Sequence, residues 1–155
     1  MTTEHLNAER NASKLFPAIT VYQPWASLIA YGFKEFETRS WQPPKQYIGQ
    51  LMMIHAGKQW GSEEKRHWKS YREMFPETKV IPVPPLGCIV AACRLVEVVP
   101  SELLVASLSR RERNVGNFDV GRYGWRFEVV KRAEPPIKAS GKQGIWMWSK
   151  DEVQG

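Results

Sequence analysis

Apolar positions along the chain switch between two periods. Ala18 to Tyr22 (AITVY) reads as a strand, and Pro24 then suits the first turn of a helix, where its missing N–H costs nothing. Trp25, Leu28 and Ile29 fall at i, i+3 and i+4, one helical face, and Gly32 marks a stop. Residues 35–41 alternate as a strand does: Glu35, Glu37, Arg39 and Trp41 share one face, Phe36 and Thr38 the other. QPPKQYIG is a loop by its prolines and glycine. Ile48 to Ala56 is apolar nearly throughout and predicts a central strand. The next helix opens at Ser62 as cap, with Glu63 and Glu64 at its positive end. It runs to about Met74, turning Trp68, Tyr71 and Phe75 toward a core and Lys65, Arg66, Lys69 and Arg72 outward.

The rigid loop VIPVPPLG leads into an apolar strand, GCIVAACRLVEVV. SELLVASL predicts a short helix capped by Ser101, and RRERNVGNFDVGRYGW a polar loop. Alternate apolar residues from Tyr123 predict another strand, and GKQGIWMW a last one. No internal repeat or domain boundary is evident. About six short strands with two or three helices predict an α+β domain, a small mixed barrel with flanking helices. It occupies residues 16–150, between a flexible leader (1–15) and a C-terminal tail (151–155).

Charge adds a partner class. A net charge of +6 over 155 residues favours anionic ligands, nucleic acid first. Seven Trp and five Tyr among the basic residues suit base stacking, although each ring is as readily core. No run of about 18 apolar residues is present, and the polar N-terminus lacks the apolar centre of a signal peptide, so a cytoplasmic protein without membrane contact is expected. Cys88 and Cys93, five apart on one strand, are expected on opposite faces. With no CxxC or HxxxH spacing, no disulfide, metal site or cofactor is expected.

Three groups of residues are candidates for chemistry. Glu37 and Arg39 share a strand face, and Lys34 lies just after the glycine stop. A lysine buried beside Arg39 has its pKa lowered and serves as base or nucleophile; beside Glu37 it stays charged and contacts phosphate or carbonyl. From spacing alone, an exposed charged strand edge is the stronger reading. His55 ends an apolar strand before Gly57 and Lys58, either presented into a cleft or bonded to backbone in a core. Arg122, Tyr123 and Trp125 set a cation beside rings, able to clamp a nucleotide or simply to begin a strand.

At these residues the chain resembles the ASCH (activating-signal-cointegrator homology) domain of the PUA-like superfamily. The matching pieces are QPWASLIAYGFKEFETRSW (23–41), GQLMMIHAGKQW (49–60), PLGCIVAACRLVEV (85–98), FDVGRYGWRFE (118–128) and PIKASGKQGIWMW (136–148). The resemblance implies a PUA-like β-barrel with a cleft lined by Trp25, Lys34, Glu37, Arg39, His55, Lys58 and Tyr123, and a role in binding RNA. Some bacterial members act as enzymes, on acetylated cytidine or as ribonucleases. In the deacetylating branch a threonine follows the lysine by three positions; here Gly32 and Lys34 match, and Glu37 stands in the threonine's place.

Two functions follow as expectations. The first is recognition of single-stranded RNA or a modified nucleobase by Trp25, Lys34, Arg39, Trp41, Lys58, Arg122 and Tyr123. The second is a metal-independent hydrolase, a ribonuclease or an amidohydrolase on acylated cytidine, with Lys34, Glu37 and His55 as the catalytic group. A protein-interaction surface through Trp60 and Trp68 is a weaker third.

Overall fold

The computed structural model describes residues 15–150. The expected leader, apart from Leu15, and the expected tail lie outside the described residues. The elements are strand β1 (Leu15–Val21), helix α1 (Trp25–Ala30), β2 (Phe36–Arg39), β3 (Leu51–Ala56), α2 (Ser62–Met74), β4 (Cys88–Pro100), α3 (Ser101–Leu104), α4 (Arg110–Asn114), β5 (Tyr123–Lys138) and β6 (Ile145–Ser149).

The strands form one six-stranded sheet in the order β2-β5-β4-β3-β1-β6. β1 and β3 pair in parallel, and the other neighbours are antiparallel. A parallel pair needs a crossover; here α1 and β2 lie within it, and β2 is carried to the far edge beside β5. The mixed α+β class is as expected. The barrel is not closed by hydrogen bonds, because β2 and β6 are the two ends of the strand order.

The period of two along the strands divides the core. Ile19 and Val21 of β1 and Met52, Ile54 and Ala56 of β3 pack with α1 and with Trp125 and Phe127 of β5. Ala18 and Met53 face the other way, onto Trp146 and Trp148. Trp125 is fully buried, and its truncation to Ala would cost about 3–5 kcal/mol. Register shifts in β4, between Ile89 and Ala91 and between Ala92 and Cys93, break the alternation expected for the cysteines. Cys88 and Cys93 therefore sit in the same core cluster, as free buried thiols. Burial pushes the Cys93 thiol up to about 12.

α1 is short and nearly all buried, so its ends need partners. Gln23 supplies them at the start: its Oε1 accepts from Ser27 N at 2.9 Å, and its Nε2 donates to Ser27 Oγ at 2.7 Å and to the Pro85 carbonyl at 2.9 Å. Gly32 ends the unit at φ 80°, where a side chain would be strained, and the turn delivers Lys34 toward β2. α2 begins one residue earlier than expected: Gly61 is the N-cap and Ser62 the first helical residue.

Residues 110–114, expected as loop, form α4. Ser109 caps it, its Oγ accepting from Glu112 N at 3.1 Å. Ser109 and Glu112 have the spacing of a capping box, but the Glu112 carboxylate is turned elsewhere. It accepts from the backbone N–H of Glu35 at 2.7 Å and of Phe36 at 3.4 Å, tying α4 to the start of β2.

Candidate functional site

A cleft of about 1320 Å³ opens between the ends of β1–β3, the face of β2, α2, and the segments that follow α4 and β5. It exceeds the roughly 300–1,000 Å³ of most small-molecule pockets. Trp25, Lys34, Glu37, Arg39, Trp41, His55, Lys58 and Arg122 all line it. Tyr123 does not. It packs against the main core, in register with Arg39 across the β2–β5 ladder, and takes no part in the cleft wall.

β2 builds one wall. Its alternation buries Phe36 and Thr38 and leaves Glu37 and Arg39 on the cleft side. Arg39 Nη2 donates to Glu37 Oε2 at 3.0 Å and to the Thr20 carbonyl at 2.8 Å. Glu37 Oε1 accepts from Thr38 N at 3.2 Å. Arg122 donates from Nη2 to the Thr38 carbonyl at 2.8 Å and from Nε to Thr38 Oγ1 at 3.3 Å. Trp41 stands edge-on to the buried Trp125, ring centroids 4.9 Å apart, while remaining 37% exposed.

Lys34 is 3% exposed. Its ammonium donates to the Val115 carbonyl at 3.0 Å and lies 4.0 Å from Glu112 Oε2. Gly116 is packed close: a Cβ there would come within 3.0 Å of Lys34 Nζ. Burial holds the amine below the usual lysine range, against the opposing pull of Glu37 and then Glu112. Burial likewise holds the Glu112 carboxyl above the usual carboxylate range, opposed by Lys34 and the two amide bonds. Glu112 was not among the candidates from sequence. Its Ser109–Glu112 spacing was legible, but its approach to Lys34 depends on the fold.

His55 combines the two readings left open by sequence: it lines the cleft, yet it is buried and bonded to backbone. Its Nε2 lies 2.7 Å from the Ala139 carbonyl, which makes it the protonated nitrogen, and Nδ1 lies 3.1 Å from Thr20 Oγ1. Trp146 Nε1 also donates to Thr20 Oγ1, at 3.1 Å. Burial lowers the His55 pKa, partly offset by the Ala139 bond, and the nearby Lys58 charge lowers it further. Gly141 closes over this group, since a Cβ there would meet His55 Cε1 and Thr20 Oγ1 at 2.6 Å. His55 thus braces the 139–144 segment against β1 and β3.

The remaining lining residues extend the chemistry. Tyr22 and Lys58 are exposed at the cleft, and Ser140 to Gly144 contributes Lys142 and Gln143. On the α2 side, Trp25 Nε1 donates to the Tyr71 hydroxyl at 3.2 Å, and the His67 ring packs on both Trp25 and Tyr71. Among the described residues no group of three or more His, Cys, Asp or Glu is placed to hold a metal ion.

The ASCH domain pattern matches residues 19–137, most of the chain. The protein belongs to the ASCH domain family. The ASCH protein of Zymomonas mobilis has a similar fold: at 14% identity its crystal structure aligns with a TM-score of 0.53, covering 87% of this chain and 88% of that one. Two mutant forms of the Zymomonas protein align at TM-score 0.47, with 14% and 15% identity, covering 79% of this chain and 74% and 72% of theirs. No curated protein matches the chain. Within this ASCH domain, no described helix is long and apolar enough to cross a membrane.

Proposed function

We propose that this ASCH domain binds single-stranded RNA, or a nucleobase that RNA presents, in the cleft. ASCH domains are a nucleic-acid- or RNA-related family. The observation that carries the reading is the convergence of Arg39, Lys58, Arg122 and Lys142 with Trp25, Trp41 and Tyr22 on one open cleft. Lys58 and Lys142 are exposed and suit phosphates; Trp41 offers a ring edge and face for a base. Glu37 keeps lone pairs beyond those used by Arg39 and Thr38, and these suit an exocyclic amine.

The test is a titration of labelled single-stranded RNA at several salt concentrations. Affinity should fall linearly in log–log form, with a slope of about −0.7 per phosphate neutralised. Trp41→Ala should weaken binding by about 1–3 kcal/mol, the range for loss of one stacking ring. No binding at the lowest ionic strength would end this reading.

One observation favours a second reading, a metal-independent hydrolase. The buried Lys34 amine lines the cleft with its pKa lowered, next to Glu37. His55, with both ring nitrogens engaged inside the fold, is better suited to bracing than to proton transfer. Turnover of RNA or acetylcytidine with chelator present, abolished in Lys34→Met, would support this reading. Full turnover by that variant would exclude Lys34 as the reactive group.

A further inference from the structure

Outside the cleft, four arginines lie over aromatic rings. Arg72 sits 5.2 Å from the Trp68 ring centroid, Arg110 5.3 Å from Phe75, Arg111 5.2 Å from Phe33, and Arg132 3.9 Å from Tyr31. All four rings belong to one apolar cluster, packed around Leu28, Ile81 and Val115. Arg132 is neutralised by Glu134. Arg72, Arg110 and Arg111 have no carboxylate within 4.0 Å among the described residues. Arg111 Nε donates to the Phe33 carbonyl at 3.0 Å, and Arg72 Nε is buried without a hydrogen-bond partner among the described residues.

These three cations, without a carboxylate partner among the described residues, all lie over rings of one cluster. A ring beneath each guanidinium orients the plane and leaves its outer N–H groups for an anion. The same two helices form the cleft wall: α2 contributes His67 and Tyr71, and α4 with its following turn contributes Asn114 to Asn117. Tyr71 directly precedes Arg72, and Asn114 lies one helical turn beyond Arg110 and Arg111. Arg72, Arg110 and Arg111 thus lie on the two helices that supply this wall.

We infer that the Arg72–Arg110–Arg111 face is a second phosphate-binding surface, which holds the backbone of an RNA strand longer than the cleft accommodates. The inference rests on the RNA reading of the cleft. Its signature is a dependence on length. The cleft alone handles a strand of roughly 4 nucleotides, whereas one of roughly 16 engages both surfaces.

The experiment compares wild type with Arg72→Gln/Arg110→Gln/Arg111→Gln on both lengths across a salt series. The expected result for the long strand is a loss of at least about tenfold at low salt. Its log–log slope should be shallower by about 2, three phosphates at about 0.7 each. The short strand should bind the variant as it binds wild type. The corresponding triple Lys variant, which keeps the charge, should retain most of the slope. Arg110→Gln alone, at an exposed position, should lower the slope by about 0.7 and covers the case in which the triple variant fails to fold.

Equal slopes for wild type and Arg110→Gln, with the triple variant folded and also unchanged, would overturn the inference. Loss of short and long binding together would also overturn it, by making the face part of the cleft. Binding to phosphatidylserine vesicles but not to the long strand would assign the face to membranes and overturn it. If the long strand binds, the triple variant weakens it and Lys58→Gln/Arg39→Gln does not, the arginine face stands and the cleft reading fails.

Discussion

Lys34 and His55 are both buried ionisable residues in the wall of one cleft, and burial lowers the pKa of each. Their surroundings differ. His55 has a partner on each ring nitrogen and a glycine pressed against its edge, so its hydrogen-bonding capacity is spent inside the fold. Lys34 has one carbonyl at 3.0 Å and a carboxylate at 4.0 Å, which leaves ammonium donors to spare. Equal burial therefore does not mean equal function. A group with every valence satisfied internally stabilises a segment; a group only partly satisfied at a cleft wall is available to a ligand.

The largest test of this contrast is at Glu112. Glu112→Ala removes the acceptor of two backbone N–H groups and the carboxylate beside Lys34. Breaking a buried pair on one side costs about 3–5 kcal/mol, to be read from the denaturant midpoint. An unchanged midpoint would show that the Lys34 corner is not anchored there. His55→Ala should cost somewhat less, about 2–4 kcal/mol, from a small cavity and the loss of the Ala139 and Thr20 bonds. A neutral outcome would remove His55 as the brace of the 139–144 segment.

Lys34→Met should lower RNA affinity about tenfold, or ~1.4 kcal/mol, by fluorescence anisotropy. Wild-type affinity in that variant would place Lys34 with His55 as an internal support. The smallest effect is in pH dependence, where the two corners have opposite signs. The folded His55 pKa lies below the unfolded 6.5, so its stabilising share is complete above pH 6.5 and is lost as pH falls from there toward the folded value. The folded Glu112 pKa lies above 4.5, so its share is complete below pH 4.5 and is lost as pH rises toward the folded value. Neither slope exceeds about 1.4 kcal/mol per pH unit. His55→Asn should flatten the loss below pH 6.5; an unaltered stability profile would assign that loss to other groups.

Much of the candidate cleft wall was legible because it lies on regular elements. The alternation of β2 placed Glu37 and Arg39 together opposite Phe36 and Thr38, and the fold keeps that division. Gly32 was legible as a stop because few other residues tolerate its φ. α4 was missed because it is five residues long, rich in arginine, and lacks an apolar stripe, so periodicity was silent and only the capping spacing marked it. The cysteines were placed on opposite faces by a rule that holds for an unbroken strand, and the shifts in β4 break it.

The sequence by itself determined the family, the mixed class, the order of most elements, and which face of each strand carries charge. These follow from periods of two and of about 3.6, which act between near neighbours. Only the tertiary structure decided that Lys34 meets the carbonyl of Val115 and the carboxylate of Glu112, that His55 closes on Ala139, and that Tyr123 stays out of the cleft. Glu112 and Glu35 are 77 positions apart, and no local period links them. Their hydrogen bond exists because burying the start of β2 leaves two N–H groups that must find an acceptor, and α4 carries one there.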